Sequence, residues 1–306
     1  MPSEDWKRAT RELVDASSEP LGRRAKQCER PERLFHFTDV AGLIGILQNS
    51  SLRASLAPSL NDPSEIAHGL ACAREQIEGY VGSVDKDFVR SIGRLLDLSN
   101  VPAAYRMELR AYVISFCARD DNALHWLHYG RSGAGVAIVF DGSALERAPF
   151  DLVKVVYTAA EQHALIESVI EATASCLSRN VSKFRGAEGD ALVEVAANIA
   201  AARLRFIPPL MKHPGFETEE EWRLVTHDVG GQRVDGESLV TLPMGYRAVA
   251  DRVVPYQELV FERLPATEIV LGWSAAMRLD DEGLGELMQN TSGKLKVSRS
   301  SIPVRP

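Results

Sequence analysis

The sequence predicts an α+β protein. Short runs with period-two apolar alternation recur between turn residues, and long stretches of helical periodicity interrupt them without any Gly/Ser-rich linker to part the chain. Composition agrees: 306 residues, 45% hydrophobic and 25% charged, suffice for a sizeable core. The expected organisation is an N-terminal helical extension over residues 1–31 and a single α+β domain over 32–306, with helical insertions at about 66–98 and 159–206.

Up to about Pro31 the chain is polar, with a weak helical pattern through Trp6, Leu13 and Val14, read as a loosely attached helix. Arg33–Thr38 alternates as a strand, with His36 pointing away from Phe35 and Phe37, and Asp39 suits the N-cap of a short helix striped by Leu43, Ile44, Ile46 and Leu47. A second strand follows at Ser51–Ser55. Asn61 and Asp62 then form a turn that ties its own backbone, Pro63 opens a helix, and Glu65 falls in its first turn, where the dipole favours a negative charge. Apolar spacing from Leu70 to Leu96 gives helices broken near Gly82.

Tyr112–Cys117 reads as a buried strand, Arg119–Asn122 as a turn and cap, and Ala123–Tyr129 as a short helix carrying His125, Trp126 and His128. Further strands are expected at Gly133–Asp141, Val153–Tyr157, Glu237–Pro243, Val253–Phe261, Glu268–Gly272 and Leu295–Ser298, with a helix at Leu279–Gln289. Two helices fill 159–206, separated near Gly186 and Gly189 and ended by Pro208-Pro209.

Several classes of function recede. A formal net charge of −7 argues against a dominant non-specific phosphate-binding surface. Cys28, Cys72, Cys117 and Cys176 are scattered, which suggests neither a zinc ribbon nor a disulfide framework and points to a reducing cytoplasm. His125 and His128 near Cys117 lack a fourth ligand, so no metal is expected. Gly130, Gly133 and Gly135 precede a strand instead of opening a helix, which fails the dinucleotide fingerprint. The acidic N-terminus has no leader-like apolar core and no run reaches the length of a membrane helix, so a cytoplasmic protein without membrane contact is expected.

The chemically pointed stretch is Lys212–Val225, which sets three consecutive acids before Trp222-Arg223-Leu224-Val225. If it is extended, Glu219, Glu221 and Arg223 share one face and Trp222 and Leu224 the other. Crowded carboxylates suit a proton-handling or cation-stabilising site, a pairing with Arg223, or a solvated acidic strand start.

His36-Phe-Thr38, Leu60-Asn-Asp-Pro-Ser-Glu65, Ile114-Ser-Phe-Cys117 with Trp126 and Tyr129, Gly135–Phe140, Glu219-Glu-Glu-Trp-Arg223 and Ile269-Val-Leu-Gly272 resemble, in order and spacing, the bacterial family called domain of unknown function 2971, from about Leu34 onward. The opening His36 strand, the middle strand ending in Ser115-Phe116 and the late Glu219-x-Glu221 more distantly resemble the ADP-ribosyltransferase fold, including its toxin branch that modifies nucleic acid. That resemblance implies a split, mixed or antiparallel sheet core with helical insertions and NAD as substrate. His36 would hold the ribose, Glu221 would be the catalytic carboxylate, and Glu219 would orient the acceptor. Thr38, Ser115 and Arg223 would join the nucleotide site, and Phe116, Trp126 or Tyr129 would shelve nicotinamide. His36 and Glu221 are then expected at opposite walls of one pocket. The acceptor would be a protein or nucleic acid, in a toxin or phage-defence setting with an antitoxin or activator. Trp222-Arg223 after Glu221 and the Asn61-Asp62-Pro63 turn lack an obvious counterpart in that fold. Two alternatives stay open: an inactive nucleotide- or peptide-sensing module with a buried Glu221–Arg223 pair, and a magnesium-dependent nuclease using Asp62, Glu65 and the late glutamates.

Overall fold

A computed structural model describes residues 3–59, 64–97, 110–145, 150–228, 233–235, 238–240, 243–249, 251–289 and 295–303. The turn residues Asn61, Asp62 and Pro63 lie outside these. The architecture is α+β, built on a ten-stranded sheet of mixed orientation.

In chain order the principal elements are α1 (Glu4–Gln27), β1 (Arg33–Thr38), α2 (Val40–Asn49), β2 (Ser51–Leu56), α3 (Ser64–Glu78), α4 (Lys86–Leu96), β3 (Arg110–Cys117), α5 (Ala123–His128), β4 (Val136–Asp141), β5 (Asp151–Lys154), α6 (Ala159–Val181) and α7 (Ala187–Phe206). There follow β6 (Glu221–Asp228), the small hairpin of β7 (Arg233–Asp235) and β8 (Ser238–Val240), β9 (Met244–Val249), β10 (Arg252–Val260), β11 (Ala266–Leu271), α8 (Glu282–Gln289) and β12 (Lys296–Arg299). The caps follow local chemistry: Asp39 accepts from the Gly42 amide at 2.8 Å and Thr158 caps α6.

The large sheet runs β12-β11-β4-β1-β3-β2-β10-β9, with β6 and β5 added on the far edge of β3, and only β11–β12 is parallel among its ladders. Its decisive feature is a fork. β6 pairs with β3 along its whole length, from Arg110↔Asp228 to Cys117↔Glu221. The opposite edge of β3 is shared: β1 meets it at Phe35↔Cys117, whereas β2 meets it at Ser55↔Val113 and Leu56↔Tyr112. Between these points β1 and β2 splay apart, and α2, which joins them, spans the opening.

Among the described residues the buried apolar side chains form four clusters, of which the two largest set the architecture. Leu34, Tyr112, Ile114, Phe116, Phe140, Trp222 and Leu224 pack on one face with Leu43 and Leu47 of α2. The second core is helical and joins α1, α3, α4, α6 and α7 through residues such as Leu13, Ile77, Ile92, Val169, Ile170 and Ala200. The N-terminal segment is therefore not the loose extension its sequence suggests. Ala9, Leu13, Ser17 and Pro20 are buried along one face of a 24-residue helix, and Trp6 meets the Phe184 ring edge-on at 5.5 Å. The small residues Ala9, Ser17 and Ala25 extend the buried stripe beyond what apolar periodicity shows.

Candidate functional site

A cavity of about 320 Å³ occupies the fork. It is lined by β1 from Phe35 to Thr38, by Ala41, Gly42, Gly45 and Ile46 of α2, by alternate residues of β2, by Val113, Ile114, Ser115 and Cys117 of β3, by Glu65, Tyr129, Lys212 and Phe216, by Glu219, Glu221 and Arg223, and by Arg247 and Val249 of β9. That volume falls at the lower end of small-molecule sites.

Strand parity explains most of the lining. Cys117↔Glu221, Ser115↔Arg223 and Val113↔Val225 are cross-strand partners, so these side chains share one face, while Phe116↔Trp222 and Ile114↔Leu224 take the other. Glu219 reaches the same side by a different route. It ends a 3-10 turn over Pro214–Glu219, and Glu220 then adopts a left-handed conformation (φ 45, ψ 48), so that Glu219 and Glu221 both turn inward while Glu220 swings out to Arg119 at 2.6 Å.

The floor of the cavity is a buried cluster of charges. Lys212 Nζ lies 2.6 Å from Glu219, 3.2 Å from Glu221 and 3.2 Å from Glu65. Arg223 donates from Nε to Glu221 Oε1 at 2.7 Å, from Nη2 to Glu221 Oε2 and Glu65 Oε2 at 2.8 Å each, and from Nη1 to the Pro209 carbonyl at 2.6 Å. Burial alone would push the Glu221 carboxyl up, but the charges of Arg223 and Lys212 outweigh it and hold it at about 2. Burial likewise opposes the charges on Lys212 and Arg223, and the surrounding carboxylates reverse it, so both are held above their ordinary values.

Counting charges decides what the cluster can offer. Three carboxylates (Glu65, Glu219, Glu221) face two cations (Lys212, Arg223), which leaves one negative charge in surplus. Glu65 and Glu221 each touch both cations. Glu219 touches only Lys212, and its other oxygen accepts from the Tyr129 hydroxyl at 3.1 Å, so the surplus resides there.

His36 reaches the cavity differently from the carboxylates. The pairing of Phe35 with Cys117 puts Phe35 on the Glu221 face, so alternation places His36 on the opposite one. Both nonetheless line one cavity, because the fork opens the sheet at this level. His36 Nδ1 sits 2.9 Å from the Ser115 carbonyl on the open edge of β3. A carbonyl only accepts, so Nδ1 carries the proton, and burial keeps the ring neutral by lowering its pKa, which leaves Nε2 as an acceptor.

Of the nine residues singled out in the sequence, His36, Thr38, Ser115, Tyr129, Glu219, Glu221 and Arg223 line the cavity, and Phe116 and Trp126 do not. Phe116 follows strand parity into the core beside Phe140, at 5.6 Å between rings. Trp126 is buried against Phe37 and Trp273, and its indole N–H donates to Asp121 at 2.9 Å. Tyr129 is thus the one of the three proposed shelves on the cavity, joined by Phe216, whose ring lies 5.1 Å from the Lys212 ammonium. Lys212, Phe216, Arg53 and Arg247 were not anticipated.

Supporting groups fix the floor from behind. Gln162, fully buried on α6, donates to the carbonyls of Val156, Tyr157 and Lys212, and the Tyr157 hydroxyl accepts the Glu221 amide at 2.9 Å. Cys117 borders the cavity, but burial and the charges of Glu221 and Glu219 push its thiol well above the usual range, which suppresses the thiolate. Among the described residues no group of three His, Cys, Asp or Glu is arranged to hold a metal ion; Glu65, Glu219 and Glu221 converge on the Lys212 ammonium instead. Nor is any described helix long and apolar enough to cross a membrane.

Fold and site together define an α+β protein with a ligand-sized, charge-lined cavity in a forked sheet. A family model described as "Protein of unknown function (DUF2971)" matches residues 125–224, from α5 through the late glutamates to Leu224, which supports the resemblance to that family. No curated protein and no solved structure matches the chain.

Proposed function

We propose that the fork cavity binds NAD and that the chain is an NAD-consuming enzyme of the ADP-ribosyltransferase type, which transfers ADP-ribose to a macromolecule or to water. The observation behind this reading is the surplus negative charge at Glu219, held by Lys212 and Tyr129 on the cavity surface. When the bond between ribose and nicotinamide breaks, its electron pair leaves with the neutral ring and positive charge develops on the sugar. A fixed carboxylate in a site shielded from water stabilises that charge.

This reading moves the catalytic role expected of Glu221 to Glu219, which faces the reacting ribose, because both oxygens of Glu221 are held by Arg223 and leave it a structural ion-pair partner. Neutral His36 accepts from a ribose hydroxyl through Nε2, and Tyr129 offers an aromatic shelf to the departing ring. Thr38 and Ser115 supply further hydrogen bonds. A cytoplasmic toxin or phage-defence effector, with a protein or nucleic-acid acceptor and an antitoxin or activator, belongs to the same proposal.

The test is incubation with labelled NAD, with and without cell lysate, followed for nicotinamide release and for label on macromolecules. Glu219→Gln should lower the rate by roughly 100- to 1000-fold, as loss of one preorganised electrostatic group does. Its melting temperature should stay near that of the parent, because Lys212 keeps Glu65 and Glu221. Absence of nicotinamide release from the parent protein would remove the enzymatic reading.

One observation favours a second reading. Both oxygens of Glu221 are taken by Arg223, as a nucleotide- or peptide-sensing module without turnover would have them. Saturable NAD binding with no nicotinamide released would select it.

A further inference from the structure

The wall of the cavity formed by β2 and β9 carries charge of the opposite sign to its floor. Arg53 projects from β2 and Arg247 from β9, two strands apart with β10 between them, and both line the cavity. The Arg53 guanidinium lies 4.9 Å from the Tyr256 ring centroid on β10. Gly245 makes room for that ring, since a Cβ there would run into the Tyr256 phenol.

Neither arginine is properly neutralised. The carboxylate of Glu258 stands 4.0 Å from Arg53 Nε, at the limit of an ion pair, and already accepts from Ser51 Oγ at 2.7 Å. Among the described residues no carboxylate lies within 4 Å of Arg247. It donates instead to Ser55 Oγ at 2.7 Å, a neutral partner that is itself buried. Arg247 is exposed as a residue, but desolvation where it meets the cavity and the charge of Arg53 both lower its pKa, with Tyr256 and Asp39 opposing, so the two guanidiniums feel one another. Two like charges held together at a cavity wall destabilise the empty protein and become favourable when an anion neutralises both. Ser55 uses its oxygen to accept from Arg247, which leaves its hydroxyl proton free to donate into the same space.

We propose that Arg53, Arg247 and Ser55 form an anion subsite that takes a phosphate or diphosphate group of the cavity's ligand, while the Glu219 end takes its hydroxyl-bearing part, which carries no negative charge. This inference rests on the cavity being a ligand pocket, and it adds the polarity of the ligand. The preferred class is a sugar or nucleoside joined to a diphosphate, lying with its anionic end toward β9. An uncharged glycoside would leave the arginine pair unmatched, and a polyanion long enough to reach the floor would meet the carboxylates there.

Calorimetric titration of the full chain with inorganic pyrophosphate, ADP-ribose and nicotinamide riboside tests it, at 50 and 200 mM salt. Pyrophosphate and ADP-ribose should bind the parent protein, and Arg53→Gln and Arg247→Gln should each weaken both by tenfold or more, with a reduced salt dependence. Arg247→Lys, which keeps charge but not the fork, should fall between. Nicotinamide riboside should bind parent and double variant alike. Because the pair is repulsive when empty, both glutamine variants should melt no lower than the parent, so lost binding cannot be put down to misfolding.

Pyrophosphate binding that is absent, or equal in parent and double variant, overturns the subsite. Arginine-dependent binding of pyrophosphate and ADP-ribose without any NAD turnover supports the subsite and overturns only the enzymatic reading above.

Discussion

Replacing Arg223 should damage the fold far more than replacing the glutamate it binds. Its guanidinium is 1% exposed and makes four hydrogen bonds, three of them to carboxylate oxygens. Arg223→Met would leave Glu65, Glu219 and Glu221 around Lys212 alone and double the surplus negative charge of the cluster. Breaking a buried pair from one side costs about 3–5 kcal/mol. Glu221→Gln instead leaves two carboxylates facing two cations, a neutral cluster, so its cost is that of weakened charge-assisted bonds, roughly 1.5–3 kcal/mol. The double variant restores the native surplus of one charge and should cost less than the two singles together, by about 1–3 kcal/mol of coupling. Urea unfolding at pH 7, followed by far-ultraviolet circular dichroism, reads all three, with Arg223→Lys as a milder substitution should the methionine variant fail to fold. Equal costs for Arg223→Met and Glu221→Gln, or an Arg223→Met midpoint unchanged from the parent, would refute the charge count.

Acid should weaken the protein through His125, alongside His36, whose pKa burial also lowers. Burial is the main cause that pushes the His125 imidazole down to about 4, so between the ordinary value of 6.5 and about 4 the unfolded chain binds a proton that the folded one does not. Stability therefore falls as the pH drops through that range, by roughly 3 kcal/mol. Unfolding midpoints at pH 7, 5.5 and 4.5 should show the loss, and His125→Phe should flatten it; an identical profile in that variant would reject the assignment. Gly45 lines the cavity from within α2, and a Cβ there would meet nothing within 4 Å. Gly45→Ala should thus stabilise the fold by up to about 1 kcal/mol through helix propensity, whereas Gly45→Phe should keep the melting temperature and abolish ligand binding. Undiminished binding by Gly45→Phe would show that the ligand sits elsewhere.

The sequence made the walls of the site legible where strand parity governs and not where distant segments meet. Alternation in Glu221–Val225 separated Glu221 and Arg223 from Trp222 and Leu224, and the structure has the same division. The same rule, carried to the neighbouring strand, would have sent Phe116 to the core once Ser115 was given to the cavity. Lys212 gave no such signal. A lone lysine before His213-Pro214 reads as surface, and only the approach of Glu65 from α3 explains its burial. Arg247 was hidden because Met244-Gly-Tyr-Arg-Ala-Val is exposed or half-exposed at every position, so β9 lacks the period-two pattern by which strands are found. The position of Glu219 depends on the left-handed Glu220, a conformation seldom signalled by a glutamate.

The charge cluster also constrains how this chain can vary over time. Its five members come from three separate stretches: residue 65 on α3, residue 212 after α7, and residues 219–223 leading into β6. Losing a cation alone leaves two surplus negative charges in the interior, at a cost of several kcal/mol against a typical total of 5–15, whereas losing one acid alone leaves the cluster neutral. Loss of a cation must therefore be accompanied by loss of an acid, whereas a single acid can be lost first. Relatives that carry an apolar residue at the position of Lys212 should also have surrendered Glu65 or Glu219, while the arginine wall, which among the described residues forms no ion pair with the cluster, is free to drift with the ligand.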